Sequence, residues 1–325
     1  MRVLLISDSW PLEDKTLPPG DAASIVASAW GDSNPADAVV SIAVGDGGPR
    51  SADAVVGEVV SLGMVEAIVA GESWLLRPAG GGVRWDPREL GRALTDAVEH
   101  PERRGKTVVV PVGDADLAGD ATTVWEESSE ASRAAWSALP LEVLVTSQRP
   151  LLGLKGMSAA VRDGRESDQA LAVASQEQEK RWSDIARSTD ASQPRSLVGP
   201  ARLSDVPGTG AASGLAYCLA AAGAKLTPAS ARLLDLVVPE GTTPDLVVAV
   251  TASLTPHTLD EGVSHAAAAI ASTHGVPCAV LTVDAWVGKR DVMAAGVAAV
   301  HEGSRGADAL AQHIARVAQT WSPQR

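Results

Sequence analysis

Short runs that are apolar at nearly every position alternate with longer alanine-rich stretches, and this alternation limits the chain to one broad architecture. Val3–Ile6, Ala38–Val44, Thr107–Val112, Leu141–Val145, Leu246–Val250 and Cys278–Thr282 are rich in Val, Leu and Ile and too short for buried helices. A strand apolar on both of its faces must be covered on both, which is the condition of a parallel sheet between layers of helices. Ala22–Trp30, Arg88–Glu99, Glu126–Ser137, Ser167–Ser188, Gly210–Ala222, Pro228–Leu236, Leu259–His274 and Ala307–Thr320 read as those helices. The expected fold class is α/β, with a mostly parallel sheet flanked by helices.

The 325 residues suffice for two domains or one large α/β unit, and 45% of them are hydrophobic, enough for a buried core. A net charge of −13 argues against a nucleic-acid-binding surface, because phosphates would be repelled. A local anion site formed by backbone N–H groups stays open. The two cysteines, Cys218 and Cys278, sit in apolar runs and read as buried free thiols. The opening apolar run turns polar at Ser7-Asp8, too short for a membrane span or a signal peptide, so a cytoplasmic protein is expected. Trp occurs nine times and Phe never; Trp30, Trp125, Trp136 and Trp182 fall in helix-like segments and are expected to pack. Arg77–Trp85, with Pro78 and Gly80 to Gly82, and Ser188–Arg202, with Pro194 and Pro200, read as loops or hinges.

One stretch carries more specific information. Pro207-Gly-Thr-Gly-Ala-Ala-Ser-Gly-Leu215 is a glycine-studded turn feeding an apolar helix, and Ala224-Lys-Leu-Thr-Pro-Ala-Ser-Ala-Arg-Leu-Leu-Asp235 begins a second helix at Thr227-Pro228. Together they resemble the signature of the bacterial glycerate kinase family, close to PGAGAAGGL…GAxLxPGxxxxLD. The resemblance runs in order from Asp8 through Val283. It implies an α/β domain made from both chain ends, residues 1–80 and 225–325, with an inserted middle domain over 81–224 and an active site in the cleft between. It also implies ATP and Mg²⁺ as cofactors and D-glycerate, or a similar small hydroxy acid, as substrate.

Mapped residue by residue, the resemblance names candidate site positions. The loop after the first strand keeps the family's Asp-Ser as Asp8 and Ser9, with Pro11 at its Lys position and Lys15 as a substitute cation. Asp46, Gly47 and Gly48 match the family's Asp-Gly-Gly; glycines there let backbone N–H groups approach an anion, and Asp46 is the candidate base or Mg²⁺ ligand. Pro49 stands where the family has Glu. The family's Gly-Gly-Ser-Ala-Thr-Asn-Asp becomes a loop in which Leu117-Ala118 replace Asn-Asp while Asp114, Asp116 and Asp120 crowd three negative charges. Those charges would repel a nucleotide unless a cation intervenes; a solvated acidic loop is the plainer reading. Arg149 replaces the Asn ahead of an intact Pro-Leu-Leu-Gly, and Arg165 keeps the charge of a family Lys. Arg149 is thus the candidate for holding a substrate carboxylate, and Ser9, Gly47, Gly48 and Arg165 for holding the nucleotide.

The last motif departs most. Thr251, Thr258 and Leu259 align, and the first two are candidate substrate contacts, but the motif's Glu and Asp have no counterpart in register. Asp260 and Glu261 are expected at a helix start, where negative charge is stabilised; His257 reads as a polar loop residue. Two functions remain: a divergent small-acid kinase, or a catalytically degenerate member that binds a small anion or a protein partner. The metal ligands and the oligomeric state have no sequence signature here.

Overall fold

The computed structural model describes residues 1–322 except 46, 127–129, 163, 164, 166, 193–199 and 240, and at 126, 130–132, 257 and 260 it describes the backbone alone. In chain order the strands are β1 (Arg2–Ser7), β2 (Trp10–Pro11), β3 (Thr16–Leu17), β4 (Ala38–Ala43), β5 (Glu58–Leu62), β6 (Val65–Ala70) and β7 (Ser73–Pro78). They continue as β8 (Thr107–Gly113), β9 (Leu141–Val145), β10 (Lys225–Pro228), β11 (Leu246–Leu254), β12 (Cys278–Ala285) and β13 (Ala299–Glu302). The chain forms two compact units, one of Met1–Asp46, Asp53–Val55 and Ala229–Arg325, the other of Gly47–Ala52 and Val56–Pro228.

The first unit holds a sheet in the order β13-β12-β11-β1-β4, with every neighbouring pair parallel. Side chains on a strand alternate between faces, and this splits each apolar run in two. Val3, Leu5, Val248 and Val250 pack with Val26 and Trp30 of the helix Pro19–Ser33 and with Leu310, Ile314 and Val317 of the helix Ala307–Trp321. Leu4, Ile6, Val247 and Ala249 are equally buried on the opposite side, where the helix Val263–His274 lies against β11. Trp30 donates its indole N–H to Asp37 at 3.0 Å, and Asp37 also binds the N-terminal ammonium at 2.8 Å.

The second unit holds a sheet in the order β10-β9-β8-β7-β6-β5. β7 to β10 pair in parallel, while β5 and β6 continue the sheet as an antiparallel hairpin. Only Leu62 of the edge strand β5 is fully buried. Asp86 caps the helix Pro87–Glu99 by accepting from Arg88 N at 2.9 Å, and that helix buries Leu90, Ala93, Leu94 and Ala97. Trp74, Trp85, Trp136 and Tyr217 complete this core without any exposed surface.

Residues 47–52, 56–80 and 225–228, expected in the first unit, lie in the second; β7 pairs there with β8 and β10 with β9. Part of the expected loop Arg77–Trp85 is the end of β7. The expected helix Leu259–His274 is two helices, Pro256–Glu261 and Val263–His274, separated at Gly262. Asp260 and Glu261 therefore end a helix rather than begin one. Of the expected break at Ser188–Arg202, the first residues continue the helix Gln169–Ser192, and 193–199 lie outside the described residues. Among the described residues no helix is long and apolar enough to cross a membrane.

Candidate functional site

In the first unit the register pairs Ser7 with Val250, which sets Asp8, at the carboxyl end of β1, beside Thr251, within β11 three residues before its end. Open α/β sheets collect their ligands at such ends. Asp8 N donates to Val250 O at 2.9 Å, and Ser9 N donates to Asp8 Oδ1 at 2.6 Å. The chain then folds into the narrow ribbon of β2 and β3, with Trp10 buried and Lys15 exposed in its turn.

Thr258 is differently committed. Its hydroxyl accepts from Thr255 N at 2.8 Å and donates to Ser253 O at 3.1 Å, while Thr255 Oγ1 accepts from Thr258 N at 3.1 Å. This reciprocal cap satisfies orphan amides at the start of the helix Pro256–Glu261. The alignment of Thr258 with a family position thus reflects a helix start.

In the second unit, glycine is required where two backbones meet. A Cβ on Gly113, at the end of β8, would lie 2.8 Å from Gly48 N. Gly47 and Gly113 also have φ of +82° and +56°, in the left-handed region. The Gly47-Gly48 turn is thereby held against the end of β8.

The two best-preserved stretches of the sequence are stitched together. Gly210 N donates to Arg149 O at 2.9 Å, and Leu151 N donates to Thr209 Oγ1 at 2.9 Å. A Cβ on Gly210 would lie 2.6 Å from Pro150 O, so only glycine permits this approach. The turn then runs through three successive left-handed residues: Ala212 at φ +48°, Ser213 at +53° and Gly214 at +90°. Ala212 and Ser213 are the described non-glycine residues with positive φ, a conformation that costs a side-chain-bearing residue about 1–3 kcal/mol. Asp114 Oδ1 accepts from Ala212 N at 3.1 Å and ties the turn to the loop after β8. Trp182 closes the other side, where its ring would meet a Cβ on Gly214 at 2.5 Å.

These elements surround a cavity of about 250 Å³ lined by Asp114, Asp116, Arg149, Met157, Gln178 and Ser213, among others. A larger cavity, about 660 Å³, opens by Trp125, Arg133 and Thr189 of the same unit, and no candidate residue lines it. The acidic loop carries less uncompensated charge than expected. Asp120 pairs with Arg181 at 2.5 Å, and Arg181 beside it holds the Asp120 carboxyl down at about 2. Asp116 lies 3.8 Å from Arg84 in an exposed pair. Among the described residues no group of three His, Cys, Asp or Glu is placed to hold a metal ion.

Of the candidate positions, Asp8, Ser9, Thr251 and Thr258 belong to the first unit, and Gly47, Gly48, Arg149 and Arg165 to the second. Asp8 and Ser9, which follow β1, are brought beside Thr251 of β11. Arg149 lines the cavity, whereas Arg165 is exposed and lies outside its lining. Asp46 lies outside the described residues. Gln178 and Ser213 escaped the sequence reading. Ser213 had a signal, since it occupies a glycine of the form PGAGAAGGL; Gln178, on the long polar helix Gln169–Ser192, had none.

Parallel strands, helical layers and a glycine-rich turn stitched to a Pro-Leu-Leu-Gly loop define a two-unit α/β protein. The crystal structure of a protein provisionally named glycerate kinase 2, from Salmonella typhimurium LT2, has a similar fold, with a TM-score of 0.64 over 98% of each chain at 16% identity. No curated protein sequence matches the chain. The sequence pattern of the glycerate kinase family matches residues 99–322, well over half of the chain, and the chain belongs to that family.

Proposed function

We propose that this protein is a phosphotransferase that uses ATP and Mg²⁺ to phosphorylate a hydroxyl of D-glycerate or a similar small hydroxy acid. The observation that carries the reading is Arg149: a guanidinium on a loop stitched to the glycine-rich turn, lining a small polar cavity. A planar cation on a loop anchored through its backbone suits a small carboxylate, which it can hold through two parallel hydrogen bonds.

When bound, Mg²⁺–ATP supplies the phosphoryl group and the charge neutralisation of its transfer. Mg²⁺ carried on a nucleotide needs only one or two protein carboxylates. Asp8, at the end of β1, and Asp46 are the proposed carboxylate donors. Ser9, Gly47, Gly48 and Arg165 are the proposed phosphate contacts. Asp46 is the proposed acceptor of the substrate hydroxyl proton, and Thr251 a further substrate contact. Thr258 has no part in this assignment, since its hydroxyl holds a helix start.

A coupled assay with ATP, Mg²⁺ and D-glycerate tests the reading. Arg149→Gln should lower kcat/KM by about tenfold or more, the worth of a charge-assisted pair, and Asp46→Asn should lower kcat. Background turnover by the unaltered protein would sink the proposal. A second reading, a non-catalytic family member that binds a small anion or a protein partner, draws on the engagement of Thr258 in its cap and of Asp120 with Arg181. A thermal shift separates the two, because a ligand stabilises the fold it binds. Stabilisation by Mg²⁺–ATP favours the kinase.

A further inference from the structure

The cavity beside Arg149 carries both signs of charge, which a site for a simple anion does not need. Arg149 supplies a cation and Asp114 a carboxylate, whereas the Asp116 carboxylate is exposed and lies 3.8 Å from Arg84. Asp114 uses Oδ1 for Ala212 N, and its other oxygen accepts no hydrogen bond among the described residues. Gln178 Oε1 is buried and has no hydrogen-bond partner among them either. An acceptor stranded in a cavity wall costs about 1–3 kcal/mol unless a donor arrives. Met157 adds an apolar face for a short carbon skeleton.

The sequence shows how this charge pattern arose. Asp114 and Asp116 stand where the family form quoted above has Ser and Thr, and Arg149 stands where it has Asn. Three neutral polar positions have become two anions and one cation. A ligand that is only an anion gains from Arg149 and is repelled by Asp114. A ligand with a carboxylate at one end and an ammonium at the other gains from both.

We propose that the Arg149 cavity takes a small zwitterion of the α-amino acid class, its carboxylate on Arg149 and its ammonium on Asp114 and Gln178. The inference rests on reading this cavity as the substrate pocket, and it changes the substrate class from hydroxy acid to hydroxy amino acid.

Calorimetric titration of the full chain with L-serine, D-serine, N-acetylserine and D-glycerate tests it. One serine enantiomer should bind about tenfold or more tighter than D-glycerate and than N-acetylserine, which lacks the ammonium. Asp114→Asn, which keeps a side-chain oxygen for Ala212 N, should erase most of that preference, and Gln178→Met should reduce it. Arg149→Gln should weaken all four ligands. Serine binding no tighter than D-glycerate, absence of binding by all four, or an unchanged preference in Asp114→Asn would overturn the inference. A parallel ATP assay separates its failure from that of the kinase reading. Turnover of D-glycerate without a serine preference sinks only the inference. A serine preference without phosphoryl transfer to either compound sinks only the kinase.

Discussion

The two sheets solve the same problem by different means. In the five-stranded sheet of the first unit every neighbouring pair is parallel and the central strands are buried on both faces, so stability comes from regular helix-on-sheet layers. The second unit starts from the same parallel pattern but ends in the hairpin of β5 and β6, whose edge strand is largely exposed. Its candidate cavity is built from irregular backbone: a left-handed triplet, a glycine pressed against a carbonyl, and a loop held by Asp114. Regular layers make a scaffold that tolerates little change inside. Irregular backbone places polar groups that a regular element would turn away, at a cost in strain.

Substitutions can break this comparison, and the largest effect should fall in the first unit. Trp30→Ala, at a fully buried indole bonded to Asp37, should cost about 3–5 kcal/mol in urea unfolding. Gly214→Ala should follow at about 3 kcal/mol, since it adds left-handed strain and a clash with the buried Trp182 ring. If Gly214→Ala were neutral, the turn would be pliable and the contrast between the units would fail. The same exchange on two strands makes the next test. Val248→Thr buries a hydroxyl and should cost about 1–3 kcal/mol, whereas Val59→Thr on the exposed edge strand should change stability by less than about 0.5 kcal/mol.

A stabilising exchange sharpens the comparison further. Ser213→Gly relieves a left-handed side chain and should raise stability by up to about 1 kcal/mol. The smallest effect concerns pH. The folded Asp120 carboxyl titrates at about 2, below its usual value of about 4. Its contribution is present above pH ~4 and is lost as pH falls towards 2. Because the pair is partly exposed, Arg181→Gln should reduce that acid-induced loss by less than about 1 kcal/mol, measured by urea unfolding at each pH.

How much could be read from the sequence follows the same division. β1, β4, β8, β9, β11 and β12 were legible because burial on both faces writes an unbroken apolar run into each strand. β5, β6 and β7 were not expected as strands. Val59 and Ser61 face outward on β5, so its pattern resembles an ordinary mixed segment. Pro78 and the glycines after it suggested a loop, although β7 runs to Pro78 before the turn. Arg149 was legible as a candidate because its neighbours Pro-Leu-Leu-Gly are preserved. Thr258 aligned equally well, yet its hydroxyl is spent on Thr255 N and Ser253 O, a distinction that alignment alone does not make.

By itself the sequence determined the α/β class, the parallel core strands and the family, because each leaves a local mark: an apolar run, a helical stretch, a glycine in a fixed place. Tertiary structure alone decided which strands share a sheet, where the two units divide, and that Arg149, Asp114, Gln178 and Ser213 line one cavity. Those outcomes depend on hydrogen bonds between distant residues, such as Leu151 to Thr209 and Ala212 to Asp114, separated by 58 and 98 positions. A contact of that span is set by how sheets and turns close on one another, and neither partner carries a local signal of it.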